Sequence, residues 1–189
     1  MKLLVFDNYD SFTYNLVHAF RNLGVNPDVV RNDKIDVEEI EKYDKIVISP
    51  GPGIPSEAGV LPLLLKRWAG KKPILGVCLG HQAIGENFGA SLYNLPEVYH
   101  GVATDIEITG DDDYIFSDLP RILKVGRYHS WVIDEKNFPD EELEVTARDA
   151  SGMIMAVKHR RYDIHGVQFH PESILTPEGE KILENWLRH

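Results

Sequence analysis

One cysteine, Cys78, sits in the run Gly76-Val77-Cys78-Leu79-Gly80. Pro73 to Val77 before it reads as a buried strand, and Gly80 to Phe88 behind it as a helix. A side chain raised on a tight strand-to-helix turn between small residues is the nucleophile-elbow pattern, with cysteine where serine is usual. The helix aims its N-terminus and free N–H groups at the sulfur, which favours thiolate over thiol. The N–H of Leu79, next after the nucleophile, is placed to meet a developing oxyanion. The alternative for a lone cysteine is a buried small hydrophobe. Either way it forms no internal disulfide, and a reducing cytoplasm is the natural setting.

A cysteine nucleophile needs a base, and the base needs an orienting group. His170-Pro171-Glu172 offers both. If this piece is extended, the two side chains point to one side, and the carboxylate holds one imidazole nitrogen while the other serves Cys78. A structural His–carboxylate pair is the bland alternative. A metal shared by His165 and His170 is disfavoured, because their spacing places them on opposite faces of a strand and no further ligand pattern completes a shell. Gly51-Pro52-Gly53 follows another predicted strand, where glycines let backbone approach a ligand. No phosphate-loop pattern is present. Gln82 lies one helical turn after Cys78 and shares its face. His18, His159 and His189 read as surface residues, and Asp111-Asp112-Asp113 as a solvated hairpin tip.

The elements that must position these groups alternate in the first half. Strands are predicted over Lys2–Phe6, Asp28–Arg31 and Lys45–Ser49. Helices are predicted over Ser11–Leu23, capped by Asp10 or Ser11 and ended by Gly24, over Val37–Lys42, and over Val60–Trp68. Such alternation implies a mostly parallel sheet with helices on both faces. The second half reads as short strands joined by turns: 102–108, 123–125, 130–133, 143–147, 154–158 and 164–169. They imply an antiparallel portion, added to the same sheet or packed beside it. Pro177–Leu187 closes the chain as a helix with Thr176 as its cap. One domain over residues 1–189 accommodates all of this.

Lys plus Arg number 20 and Asp plus Glu 30, a formal net charge of −10. An acidic chain without a basic block is a poor partner for phosphate backbones or anionic membranes. No apolar run approaches the ~20 residues of a membrane span, and the opening apolar stretch is too short for a signal peptide. No cofactor and no metal are expected.

Gly76-Val77-Cys78-Leu79-Gly80-His81-Gln82, together with Gly166-Val167-Gln168-Phe169-His170-Pro171-Glu172, resembles class I glutamine amidotransferases over nearly the whole chain. The resemblance implies a flavodoxin-like α/β fold and a cysteine that attacks the side-chain amide of glutamine, releases ammonia, and leaves a glutamyl thioester for water. Carried over, Cys78 is the nucleophile, His170 the acid and base, and Glu172 the orienting carboxylate. Leu79 and Gly53 donate an oxyanion hole. Gly51, Pro52, Gly53 and Gln82 line the glutamine pocket, with backbone groups of Ser130 and Trp131 holding the amino-acid end. Asp7-Asn8-Tyr9-Asp10-Ser11-Phe12-Thr13, Arg127-Tyr128-His129-Ser130 and Pro171-Glu172-Ser173-Ile174-Leu175-Thr176 narrow the resemblance further. They are similar to the glutaminase subunits of anthranilate synthase and, as the alternative, aminodeoxychorismate synthase. That implies a chorismate-binding synthase as partner. Trp131 departs from the small aliphatic residue expected there, and Val102 from a basic one. A cysteine hydrolase of peptides or γ-glutamyl compounds, and a non-catalytic module, are the competing readings. A module has no use for thiolate, base and orienter together.

Overall fold

The structure is a computed structural model describing residues 1–189. The first half runs β1 (Leu3–Asp7), α1 (Thr13–Asn22), β2 (Asp28–Arg31), β3 (Lys45–Ile48), α2 (Leu61–Trp68), β4 (Ile74–Val77) and α3 (Leu79–Asn87). The second half runs β5 (Leu92–Asn94), β6 (Val102–Ile108), β7 (Ile122–Arg127), β8 (Trp131–Ile133), β9 (Leu143–Asp149), β10 (Ile154–His159), β11 (Ile164–Val167) and α4 (Gly179–Arg188). Val37–Lys42 is helical as expected, but wound as a 3-10 helix with the Asp36 carboxylate accepting from Glu38 N–H.

Nine strands form one sheet in the order β2-β1-β3-β4-β11-β10-β9-β6-β7. Pairs from β2 to β11 are parallel, and those from β11 to β7 antiparallel. Both options for the antiparallel portion are realised. Four of its strands extend the main sheet, whereas β8 pairs with β5 in a separate ribbon. β5 has no counterpart in the sequence reading, since its three residues are mostly exposed and show no buried run. The return of β11 beside β4, with Val167 opposite Val77, matters most for the site. It sets whatever follows β11 next to whatever follows β4.

Alternation along the central strands feeds two cores. Leu3, Val5, Val47, Leu75 and Val77 face α1 and α4, where Phe20 and Trp186 are buried. Leu4, Phe6, Ile46, Ile48 and Ile74 face α2 and α3. Strands buried on both sides explain the near-continuous apolar runs.

Several local expectations are corrected. Neither Asp10 nor Ser11 caps α1: its first flanking residue is Phe12, and Asp10 instead accepts from Phe12 N–H at 2.8 Å. Thr176 does not cap α4, which starts later, after Glu178. His159 is buried, stacked on Tyr162, tilted against Phe88 and bonded to Glu142. Asp113 is also buried rather than part of a solvated tip. It lies 2.9 Å from His165 Nδ1, while Asp163 lies 3.2 Å from the other ring nitrogen. Burial alone would lower the His165 pKa, but the bonds to Asp113 and Asp163 outweigh it and hold it above its ordinary value. Acidic side chains read as solvent-facing because their partner is distant in sequence.

Candidate active site

Cys78 directly follows β4 and precedes the first residue of α3. Its φ of +52° and ψ of −99° are strained for a residue with a Cβ. The neighbouring glycines are required by contact. A Cβ on Gly76 would meet the Gly80 backbone at 2.5 Å, and one on Gly80 would meet the Ile48 carbonyl oxygen at 2.7 Å. Strand and helix can therefore close on each other only with glycine at both positions. The Cys78 N–H donates to Val167 O at 2.8 Å, which ties the elbow to β11.

His170 and Glu172 arrive from the other side of that seam. His170 Nδ1 and Glu172 Oε1 are 2.7 Å apart, with both side chains buried. The segment is not extended, however. The Ser173 N–H donates to His170 O at 3.2 Å, so Pro171 and Glu172 lie in a turn. The turn is stitched to the end of β7. His170 N–H donates to Gly126 O, Thr176 Oγ1 donates to His170 O, and Gly126 N–H donates to Thr176 Oγ1. Thr176 thus braces the histidine rather than the helix. The other ring nitrogen, Nε2, is buried and left to the Cys78 thiol. Burial would lower the His170 pKa, but the adjacent Cys78 and the hydrogen-bonded Glu172 outweigh it and push it up to about 10. Phe12 and Tyr128 flank the ring, each with centroids 4.9 Å away.

The opening motif positions the glycine loop. Asn8 donates to Ser49 O at 2.9 Å, and its own N–H donates to Ser49 Oγ. A Cβ on Gly51 would meet Asn8 Cβ and Leu79 Cδ2, each at 2.6 Å, so the loop lies tight against the elbow. Gly53 has φ +71°. Gly51, Pro52, Gly53, Cys78, Gln82, Ser130 and Trp131 together line a cavity of about 240 Å³. Val98, Tyr99 and His100 close another wall that the sequence reading did not include. Drug-sized ligands occupy pockets of roughly 300–1,000 Å³, so this one suits a smaller molecule such as a free amino acid. Leu79, at the first position of α3, has no acceptor for its N–H within the helix. The Trp131 carbonyl is occupied, accepting from Gln82 Nε2 at 2.8 Å and from His129 Nδ1 at 3.1 Å.

Two further histidines lie under the site. Burial holds His81 down to about 4; burial and the neighbouring Arg127 hold His129 down to about 3. An unfolded imidazole titrates near ~6.5, so below that pH unfolding takes up protons that the folded chain refuses. The stability carried by these two groups is full above ~6.5 and is lost as pH falls toward their folded values. His165 and His170, with raised values, are protonated in both states there and add no slope. The unfolding free energy should fall by roughly 1.4 kcal/mol per pH unit for each of the two histidines, between about pH 6 and 4.5. Denaturant titrations across that range check it. His129→Gln should lower the slope by roughly 1.4 kcal/mol per pH unit, and an unchanged slope would contradict the assignment.

Residues 4–189 match the family model described as Glutamine amidotransferase class-I. The chain is 49% identical to anthranilate synthase component 2 of Pseudomonas aeruginosa, over 98% of this chain and 94% of that one. It is 46% identical to aminodeoxychorismate synthase component 2 of Klebsiella aerogenes, over 98% of each. Among solved structures, a protein of Thermoplasma acidophilum described as a GMP synthase subunit superposes with a TM-score of 0.88 at 30% identity, covering all of this chain and 92% of that one. A cysteine on a strained elbow, facing a carboxylate-held histidine across one parallel strand pair, is thus set in a chain that belongs to the class-I glutamine amidotransferase family.

Proposed function

We propose that this chain is the glutaminase subunit of an anthranilate synthase, hydrolysing L-glutamine through a thioester on Cys78 and passing the ammonia to a chorismate-binding synthase. The observation that carries the chemistry is the buried His170–Glu172 pair, whose free nitrogen is left to Cys78. In this reading the thiolate attacks the side-chain amide carbon. His170 gives its proton to the departing ammonia, then takes one from the water that cleaves the thioester. Glu172 holds the imidazole in position. The N–H groups of Leu79 and Gly53 receive the oxyanion, and Gly51, Pro52, Gly53, Gln82, Ser130 and Trp131 hold the substrate. These steps call for no metal or cofactor. A working thiolate fits a reducing cytoplasm, and no helix is long and apolar enough to cross a membrane.

The partner is inferred from the relatives. The similarity to an aminodeoxychorismate synthase component keeps that synthase as the second reading. Free ammonia at neutral pH becomes ammonium, a poor nucleophile, so an undocked glutaminase would waste glutamine. The left-handed Gly53 makes reorientation of a loop peptide inexpensive. One oxyanion donor is worth roughly 10²–10³ in turnover, enough to serve as a control. Ammonia release from glutamine should therefore be slow for the isolated chain and rise on adding the synthase and chorismate. Which synthase stimulates it, and whether anthranilate or aminodeoxychorismate forms, separates the two readings. No stimulation by either would overturn the partnership.

A further inference from the structure

We propose that Gln168 belongs to the reaction centre: its side-chain N–H donates to the Cys78 sulfur and supports negative charge there, oriented by a buried chain of hydrogen bonds that begins at Arg127. This rests on Cys78 being the glutaminase nucleophile.

Gln168 has no solvent exposure, and its backbone N–H is fixed to Met155 O. Its Nε2 lies 3.6 Å from Cys78 Sγ, and its Oε1 lies 3.2 Å from Gln82 Nε2. The direction of the amide follows from groups that cannot reverse roles. Arg127 only donates, and its Nε lies 3.1 Å from His129 Nε2, so that nitrogen is the acceptor. The His129 hydrogen is therefore on Nδ1 and points at the Trp131 carbonyl. That carbonyl only accepts, so the nitrogen of the Gln82 amide must face it. The second hydrogen of that nitrogen goes to Gln168 Oε1, which leaves Gln168 Nε2 for the sulfur. Reversing Gln168 would set two nitrogens against each other and an oxygen lone pair against the thiolate. The start of the chain is anchored by Asp149, 2.8 Å from Arg127, and by the Tyr99 ring 3.6 Å from its guanidinium carbon.

His170 and Gln168 leave the same strand end and meet the same sulfur. The imidazolium is a charged partner whose proton leaves during the reaction. The amide is neutral, has no proton to lose, and stays in place when the imidazole becomes neutral. It also links the sulfur to Gln82, a wall of the cavity, so a ligand that shifts Gln82 acts on the nucleophile.

The test is the pH dependence of Cys78 alkylation by iodoacetamide in the full-length chain. The titratable and charged groups around the sulfur are His170 and Glu172 after β11, His81 on α3, Arg127 at the end of β7, and Tyr128 and His129 between β7 and β8. Gln168→Leu removes the donor. Gln168→Glu keeps the acceptor for Gln82 but turns a carboxylate oxygen toward the sulfur. A hydrogen bond to a charged group is worth a factor of roughly 10–100. The alkylation inflection should therefore move up by about one to two pH units, more for Glu than for Leu, and kcat for glutamine should fall by a similar factor with a smaller change in KM. Inflections equal to wild type in both folded variants would overturn the proposal. In the unaltered chain, the Gln168 side-chain amide NMR signals should follow the thiolate absorbance of Cys78 through its titration. Signals that do not move would overturn it even if neither variant folds. Wild-type protein that alkylates normally but releases no ammonia from glutamine, alone or with either synthase, would instead sink the glutaminase reading.

Discussion

Cys78→Ala is expected to remove glutamine-dependent product formation from the synthase complex by at least ~10⁴-fold, the scale on which nucleophile deletions act. Ammonium salt at alkaline pH should restore product at the wild-type ammonium-dependent rate. The reason is geometric. Cys78 is buried at the floor of the cavity, and the polar contacts of its sulfur are with Gln168 and the Tyr128 carbonyl, neither of which can replace it as nucleophile. Alanine also fills less space without disturbing the elbow, whose backbone is held by Gly76, Gly80 and the bond to Val167 O. The synthase half should remain docked and competent. Paired assays with glutamine and with ammonium measure this directly. Loss of both activities would mean that the chain does more than supply ammonia. Retention of the glutamine-dependent rate would remove Cys78 from the chemistry.

The parts of the site legible in sequence are those whose local pattern is also their structural cause. Gly76-x-Cys78-x-Gly80 is readable because the elbow itself demands small residues where β4 meets α3. The alternating first half is readable because each parallel strand must be followed by a crossover helix. What is not legible comes from register between distant segments. Pairing of Gly166 with Gly76 decides that His170 meets Cys78, and nothing near either residue announces it. His165 and Asp113 form a buried pair across more than fifty positions, so Asp113 passes for a hairpin tip. Gln168 and His129 lie within the motifs that carry the family resemblance, yet their contacts are side-chain bonds to Gln82, Arg127 and Cys78 that no spacing predicts. Thr176 looks like a helix cap by composition, but the carbonyl of His170 and the N–H of Gly126 claim its hydroxyl first.

Gly179→Ala should be the most damaging single methyl outside the site itself. Gly179 opens α4, and a Cβ there would lie 1.8 Å from Pro171 O and 2.6 Å from Pro171 C. Both are backbone atoms, so no rotamer change relieves the clash. α4 cannot retreat cheaply, because Ile182, Leu183 and Trp186 are buried in the core beneath the sheet. The turn must move instead, and Pro171 stands between His170 and Glu172. Overpacking of this kind destabilises by roughly 1–3 kcal/mol. A displacement of about 1 Å in a reacting group lowers turnover by roughly 10²-fold. Gly152→Ala supplies the contrast. Its φ is +89°, yet a Cβ there meets nothing within 4 Å, so it should lose stability through backbone strain and keep its activity. Glutamine-dependent rates and denaturant midpoints of the two variants decide the matter. If Gly179→Ala loses stability but turns over glutamine at the wild-type rate while folded, the first turn of α4 does not set the position of His170 and Glu172.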